Sequence, residues 1–164
     1  MSSSSSSKKI EESQSDCRIV PIQDVQDART LKGIPWCPWE AMLQNGKEMY
    51  RAFVLYKDNH PVGYVSYGQR YEAVPRAEIN ALGVKEDYQG QGLGSLLMRY
   101  VMCVITNDKK YKGIDIIAKS TRLKQGQGIE SLIKFYEKHG FECSDLDRTP
   151  TQARLCIALR SMQG

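Results

Sequence analysis

A mixed α/β domain, on the border of the α/β and α+β classes, is the fold predicted by three patterns in the sequence. Two strand-like stretches, Tyr50 to Tyr56 and Val62 to Tyr67, flank the turn-forming Lys57-Asp-Asn-His-Pro and read as an antiparallel hairpin. A strand from Arg76 through Ile79, Ala81 and Val84 leads into a loop holding Gly90, Gly92 and Gly94, and then into a helix with one broad apolar face. Beyond that helix, strands alternate with a second helix. Hairpin pairing first and strand–helix alternation later place the strands in one mixed sheet flanked by helices.

The elements follow in order. Met1 to Asp16 is a serine run followed by Lys8-Lys9 and Glu11-Glu12. It lacks the apolar core of a signal peptide and reads as a disordered tail, residues 1–16, ahead of a single domain over 17–164. Arg18 to Ile22 is a short strand. Asp24 can cap a helix with a weak face of Val25, Ala28 and Leu31. Gly33 to Trp39 breaks it, and Pro38 starts a second short helix that ends near Gly46. The hairpin comes next, then a connection from Gln69 to Pro75 and the central strand. In the helix after the glycines, Leu93, Leu96, Leu97, Tyr100, Val101, Val104 and Ile105 fall at helical spacing. Ile114, Ile116, Ile117 and Ala118 make a buried strand, and Lys119 to Gly128 a polar loop. Ile129, Leu132, Ile133 and Tyr136 stripe a helix that Gly140 ends. Phe141 to Cys143 and Arg154 to Leu159 close the chain as strands.

Composition removes several function classes. The 164 residues suffice for one domain with a sizeable core. A net charge of +4 suits an anionic ligand, but no dense basic run with interleaved aromatics points to nucleic acid. Five widely spaced cysteines, Cys17, Cys37, Cys103, Cys143 and Cys156, fit reduced thiols in a cytoplasmic or nuclear protein. Neither His60 nor His139 stands at zinc-ligand spacing from a cysteine, so no metal is expected. The longest apolar run is too short to span a bilayer, and no membrane partner is expected.

The glycine loop carries the chemistry. Backbone N–H groups at such a loop converge on an anion at the positive end of the following helix. A dinucleotide fingerprint beginning at Gly90 would need glycine where Ser95 stands, and no Gly-Lys-Ser or Gly-Lys-Thr makes a Walker loop. What does fit is Gln89-x-x-Gly92-x-Gly94, preceded by Leu82-Gly83-Val84. This closely resembles the pyrophosphate signature of the GNAT superfamily of acetyl-CoA-dependent N-acetyltransferases. A second segment, Phe135-Tyr-Glu-Lys-His-Gly-Phe141, is similar to that family's tyrosine-bearing helix end and Gly-Phe turn. The element order matches the GNAT layout over residues 18 to 160. Many members carry an asparagine seven residues before the tyrosine, whereas this chain has Ile129.

The resemblance implies a mostly antiparallel sheet that splays at its central strand, with acetyl-CoA as cosubstrate and direct attack by an amine. It places Leu82, Gly83 and Val84 against pantetheine and the acetyl carbonyl. Gln89, Gly90, Gln91, Gly92, Leu93, Gly94 and Ser95 hold the pyrophosphate, and Lys124 serves the 3′-phosphate end. Tyr136 matches the general acid for the departing thiolate; its position in an apolar stripe equally suits packing. Glu78, six residues before Val84, stands where the histone-acetyltransferase branch carries its base, and pairing with Arg76 or Lys57 is the plainer role. Simple alternation groups Glu78, Asn80 and Leu82 on one face of the strand, with Ile79 and Ala81 on the other. Trp36, Trp39, Tyr67 and Tyr71 lie in segments that flank the acceptor groove in this family. Such aromatics would suit an amine on an aliphatic stem, in a protein, a polyamine or a small molecule; Trp36 and Trp39 equally suit packing of the two short helices onto the sheet. The competing class is a catalytically silent module of the same fold that binds coenzyme A or a protein. The chain is expected to act as a monomer or homodimer.

Overall fold

Asp58 and Asn59 make the first hairpin. Both lie in the left-handed region, at φ 50° and 65°, as a two-residue type I′ turn requires. The computed structural model describes residues 17–22, 34, 50–70, 73–119 and 128–159, and in it this turn joins β2 (Tyr50–Lys57) to β3 (His60–Arg70). The turn uses fewer residues than the sequence suggests, because Lys57 pairs directly with His60. The expected tail and both expected short helices lie outside the described residues, Ile34 apart, as does most of the loop after Lys119.

Seven strands form one sheet in the order β1-β2-β3-β4-β5-β7-β6. The remaining strands are β1 (Cys17–Pro21), β4 (Arg76–Val84), β5 (Gly113–Lys119), β6 (Glu142–Arg148) and β7 (Gln152–Ala158). Every pairing is antiparallel except β4 with β5. That one parallel step needs a crossover, which α1 (Leu93–Asn107) supplies. The second helix, α2 (Ile129–Lys138), leads into β6.

Both helices cover the same face of the sheet. Leu93, Leu97, Met98, Val101 and Ile105 of α1 are buried, as are Ile129, Ile133 and Tyr136 of α2. They share a core with Phe53, Val65, Ile79, Ile114, Ile116 and Leu155 from the sheet. α1 packs on β3 and β4, and α2 on β5, β6 and β7. A smaller core on the opposite face gathers Ile34, Ala52, Val54, Tyr64 and Ala81.

The division of Ile79 and Ala81 between two cores corrects the simple alternation. Tyr67 pairs with Ile79 and Ser66 with Ala81, so Asn80 is an extra residue on β4, a bulge. A bulge adds one step and swaps the faces of everything after it. Glu78 therefore faces away from the helices, while Leu82 and Val84 pack toward them. The bulge also marks where the sheet opens. β4 pairs with β5 only from Ala77–Ile114 to Ile79–Ile116, although β4 runs on to Val84 and β5 to Lys119. Beyond the bulge the two strands part.

Below the opening the strands are tied together. Asp115 is only 2% exposed and accepts two hydrogen bonds from Arg76, at 2.8 and 3.0 Å. Arg70 lies 3.5 Å from the same carboxylate. The ends of β3, β4 and β5 are thus held by charge-assisted bonds at the base of the splay.

Candidate active site

The loop between β4 and α1 is shaped by two glycines. Gly90 and Gly92 both adopt φ 80°, which an L side chain resists. Gly92 is the N-cap of α1, its carbonyl accepting from the Leu96 N–H at 3.1 Å, and no side chain caps the helix. The first N–H groups of α1 are thus left without a capping side chain, and the first turn carries no acidic residue. Gln89 folds back, its side-chain N–H donating to the Val84 carbonyl at 2.9 Å. It braces the loop against the end of β4. Gly94 is helical, and a Cβ there would make ordinary contact with Phe135 of α2, at 3.7 Å.

This loop forms one wall of a groove of about 380 Å³. Leu82, Gly83 and Val84 supply the β4 wall, and Leu132, Phe135 and Lys138 the α2 wall. The donor set fits a pyrophosphate: an uncapped helix start, a lysine, and glycine positions 90 and 92 where a Cβ would meet no protein atom within 4 Å. A smaller space of about 90 Å³ lies where β4 and β5 separate, lined by Leu82, Ile117, Ala118, Lys119, Leu132, Phe135 and Tyr136. The two spaces share Leu82, Leu132 and Phe135. The two spaces are therefore adjacent, and Tyr136 lines the one farther from the glycine loop. Tyr136 is 9% exposed and packs edge-on to Phe135 and Phe141.

Of the residues singled out from sequence, Leu82 to Val84, Gln89, Gly90 and Gly92 to Ser95 line this groove. Gln91 sits at the exposed rim, accepting a hydrogen bond from the Lys57 ammonium. Glu78 lines neither space. It lies in the paired part of β4, beside Gly68 and Asp115, on the face away from the helices. Tyr67 lines neither space. It is 2% exposed, its ring against Phe53 and Tyr111 in the main core, and burial raises its hydroxyl pKa. Trp36, Trp39, Tyr71 and Lys124 lie outside the described residues. Ile129 is 1% exposed in the main core, so its side chain offers nothing to the groove.

Sequence reasoning missed Leu132, Phe135 and Lys138 as groove residues, and Ile117 to Lys119 at the splay. Leu132 and Phe135 stand three apart on α2, a spacing that places both on one helical face. Among the described residues no thiol lines either space, and burial pushes the Cys143 thiol up, away from nucleophile range. Among the described residues no group of three His, Cys, Asp or Glu could hold a metal.

The family described as Acetyltransferase (GNAT) domain matches residues 48–143, more than half of the chain. The chain belongs to the GNAT acetyltransferases. The chemistry of that family is acetyl transfer. Solved structures share the fold at low identity. The ribosomal-protein-S18-alanine N-acetyltransferase from Escherichia coli is 17% identical, with TM-score 0.66, over 90% of this chain and 96% of that one. A GNAT family acetyltransferase from Elizabethkingia anophelis, solved with acetyl-CoA bound, is 20% identical, with TM-score 0.59, over 88% and 99%. Arabidopsis thaliana Naa50, in complex with a bisubstrate analogue CoA-Ac-MVNAL, is 19% identical, with TM-score 0.60, over 87% and 98%. No curated protein matches the sequence. Among the described residues no helix is long and apolar enough to cross a membrane.

Proposed function

We propose that this GNAT domain is an N-acetyltransferase, moving the acetyl group of acetyl-CoA to a primary amine by direct attack in a ternary complex. The observation that carries this is that the glycine-loop groove and the space lined by Tyr136 at the parting of β4 and β5 share Leu82, Leu132 and Phe135 as walls. Acetyl-CoA supplies an activated thioester. The uncapped start of α1, with Gly90 to Ser95, binds its pyrophosphate. The backbone of Leu82 to Val84, beyond the last β4–β5 register pair, aligns the acetyl arm and polarises its carbonyl. Tyr136 gives its proton to the departing thiolate, and the apolar walls of Leu82, Leu132 and Phe135 exclude water from that step.

Glu78 is assigned as the base that takes the amine's proton, through a water, because it lines neither space itself. It stands just before the bulge, on the sheet face opposite the helices, so the amine approaches from that face. That no thiol among the described residues lines either space supports direct attack without an acetyl-enzyme.

Ile129, buried where many family members carry a coenzyme-contacting asparagine, favours one alternative, a silent coenzyme A-binding module. A single assay separates the two. Coenzyme A release is measured against a panel of peptide N-termini, lysine peptides, polyamines and small amines, with the product read by mass spectrometry. Release that depends on one amine class, with an acetylated amine as product, supports the enzyme. Coenzyme binding with no amine-dependent release supports the silent module.

A further inference from the structure

The end of α2 reaches across to the start of α1 through His139. Its Nε2 lies 3.3 Å from the Ser95 Oγ, and its ring packs edge-on to Phe135, 5.1 Å between centroids. Phe135 in turn closes on Gly94. Ser95 and Phe135 both line the coenzyme groove, yet His139 itself is set behind them. It is the one imidazole joined to the proposed pyrophosphate cradle.

We propose that His139 is a proton-dependent positioning residue that controls which way the Ser95 hydroxyl points, and so how tightly the cradle holds a pyrophosphate. The inference rests on the groove being the coenzyme site. The logic lies in the donor inventory. A neutral imidazole with a bare Nε2 accepts the Ser95 O–H, which turns that proton away from the groove. An imidazolium donates from Nε2 to the Ser95 Oγ instead, and the Ser95 O–H is released to donate to a pyrophosphate oxygen. The bound anion thus favours the protonated ring, and between the free-state and bound-state pKa values binding draws part of a proton from solvent onto His139.

The charged groups acting on the ring are both cationic: Lys138 on its own helix and Arg99 on α1. In the free protein, burial first and then these two cations hold His139 below its ordinary value. The dianionic pyrophosphate opposes both cations when it binds, so the bound-state pKa is the higher one. Affinity is then greatest below the free-state pKa and falls as pH rises through the bound-state pKa.

The test is calorimetry with dephospho-coenzyme A, which lacks the 3′-phosphate whose own ionisation near pH 6 would confound the titration. Binding is measured from about pH 5.5 to 8.5 in pairs of buffers with different ionisation enthalpies, which reads proton uptake directly. The wild type should bind about three- to tenfold more tightly at the acid end, a bound-state rise of up to about one pKa unit. It should take up a fraction of a proton near the midpoint. His139→Gln, which keeps a neutral hydrogen-bonding partner for Ser95, should bind like the wild type at high pH with no acid gain. Ser95→Ala should keep only the smaller part of the gain that comes from direct attraction between the imidazolium and the anion, because the rest acts through that hydroxyl. A wild type with flat affinity and no proton uptake would overturn the proposal, as would an acid gain that is undiminished in Ser95→Ala. Failure of the wild type to bind at any pH would instead overturn the groove assignment, and the proposal with it.

Discussion

Replacing Gly92 by alanine separates the fold from the site. Gly92 holds φ 80° at the N-cap of α1, and a Cβ there meets no protein atom within 4 Å. The protein itself therefore resists the methyl group only through backbone strain, about 1–2 kcal/mol for a left-handed L residue. In a chain of this size each kcal/mol shifts the melting temperature by about 2–4 °C, so a drop of roughly 2–8 °C is expected. The methyl occupies the open groove, where the pyrophosphate approaches the helix start. One lost N–H contact to a charged oxygen is worth about 1.5–3 kcal/mol, which weakens coenzyme binding about 10- to 150-fold. Gly94→Ala provides the contrast. That position is already helical, and its Cβ would rest at 3.7 Å from Phe135, so alanine should preserve or raise the melting temperature. Calorimetric titration of coenzyme A and a thermal melt on both variants make the comparison. Affinity of a folded Gly92→Ala within about twofold of wild type would refute the cradle.

Tyr136→Phe should keep coenzyme affinity and the melting temperature while turnover falls about 10- to 1000-fold, at or below the usual range for a general acid. Unchanged turnover, with chemistry rate-limiting, would reduce Tyr136 to a packing residue. Glu78→Gln should show a rate deficit at neutral pH that shrinks toward the amine's own pKa; parallel pH profiles of turnover would rule out a base at this position. Arg76→Met removes both hydrogen bonds to the buried Asp115 and should cost about 1–3 kcal/mol in urea denaturation, the partly exposed arginine setting the low end. No change would mean that Arg70 alone satisfies the carboxylate. Since His139 is depressed in the folded protein, its contribution to stability is complete above its ordinary value of 6.5 and is lost as pH falls toward the folded value. Melts of His139→Phe against wild type across that window should converge at the acid end; parallel curves would show that His139 does not titrate in the folding equilibrium.

The helices and the glycine loop were legible because each follows from one local rule. α1 announces itself by leucines and valines at helical spacing, and the loop by glycines that only a left-handed turn or a bound anion requires. Local rules fail where two strands must agree. Nothing near Asn80 in the sequence signals a bulge, which arises from the register of β3 against β4, yet it sends Glu78 and Leu82 to opposite faces. The surroundings of Tyr67 are illegible for a related reason: its ring is placed by Phe53 on β2 and Tyr111 after α1, both distant in the chain. The His139–Ser95 contact, 44 residues apart, is a product of how α2 leans on α1. The resemblance located both motifs but said nothing of that bond.

The proposed mechanism requires an amine to attack acetyl-CoA while both occupy the splay between β4 and β5. Initial-rate kinetics, with acetyl-CoA and the best amine of the panel both varied, test this most directly. Double-reciprocal lines that converge, with release of coenzyme A matched by acetylated amine, are the predicted result. Parallel lines, the signature of an acetyl-enzyme formed before the amine arrives, would contradict it.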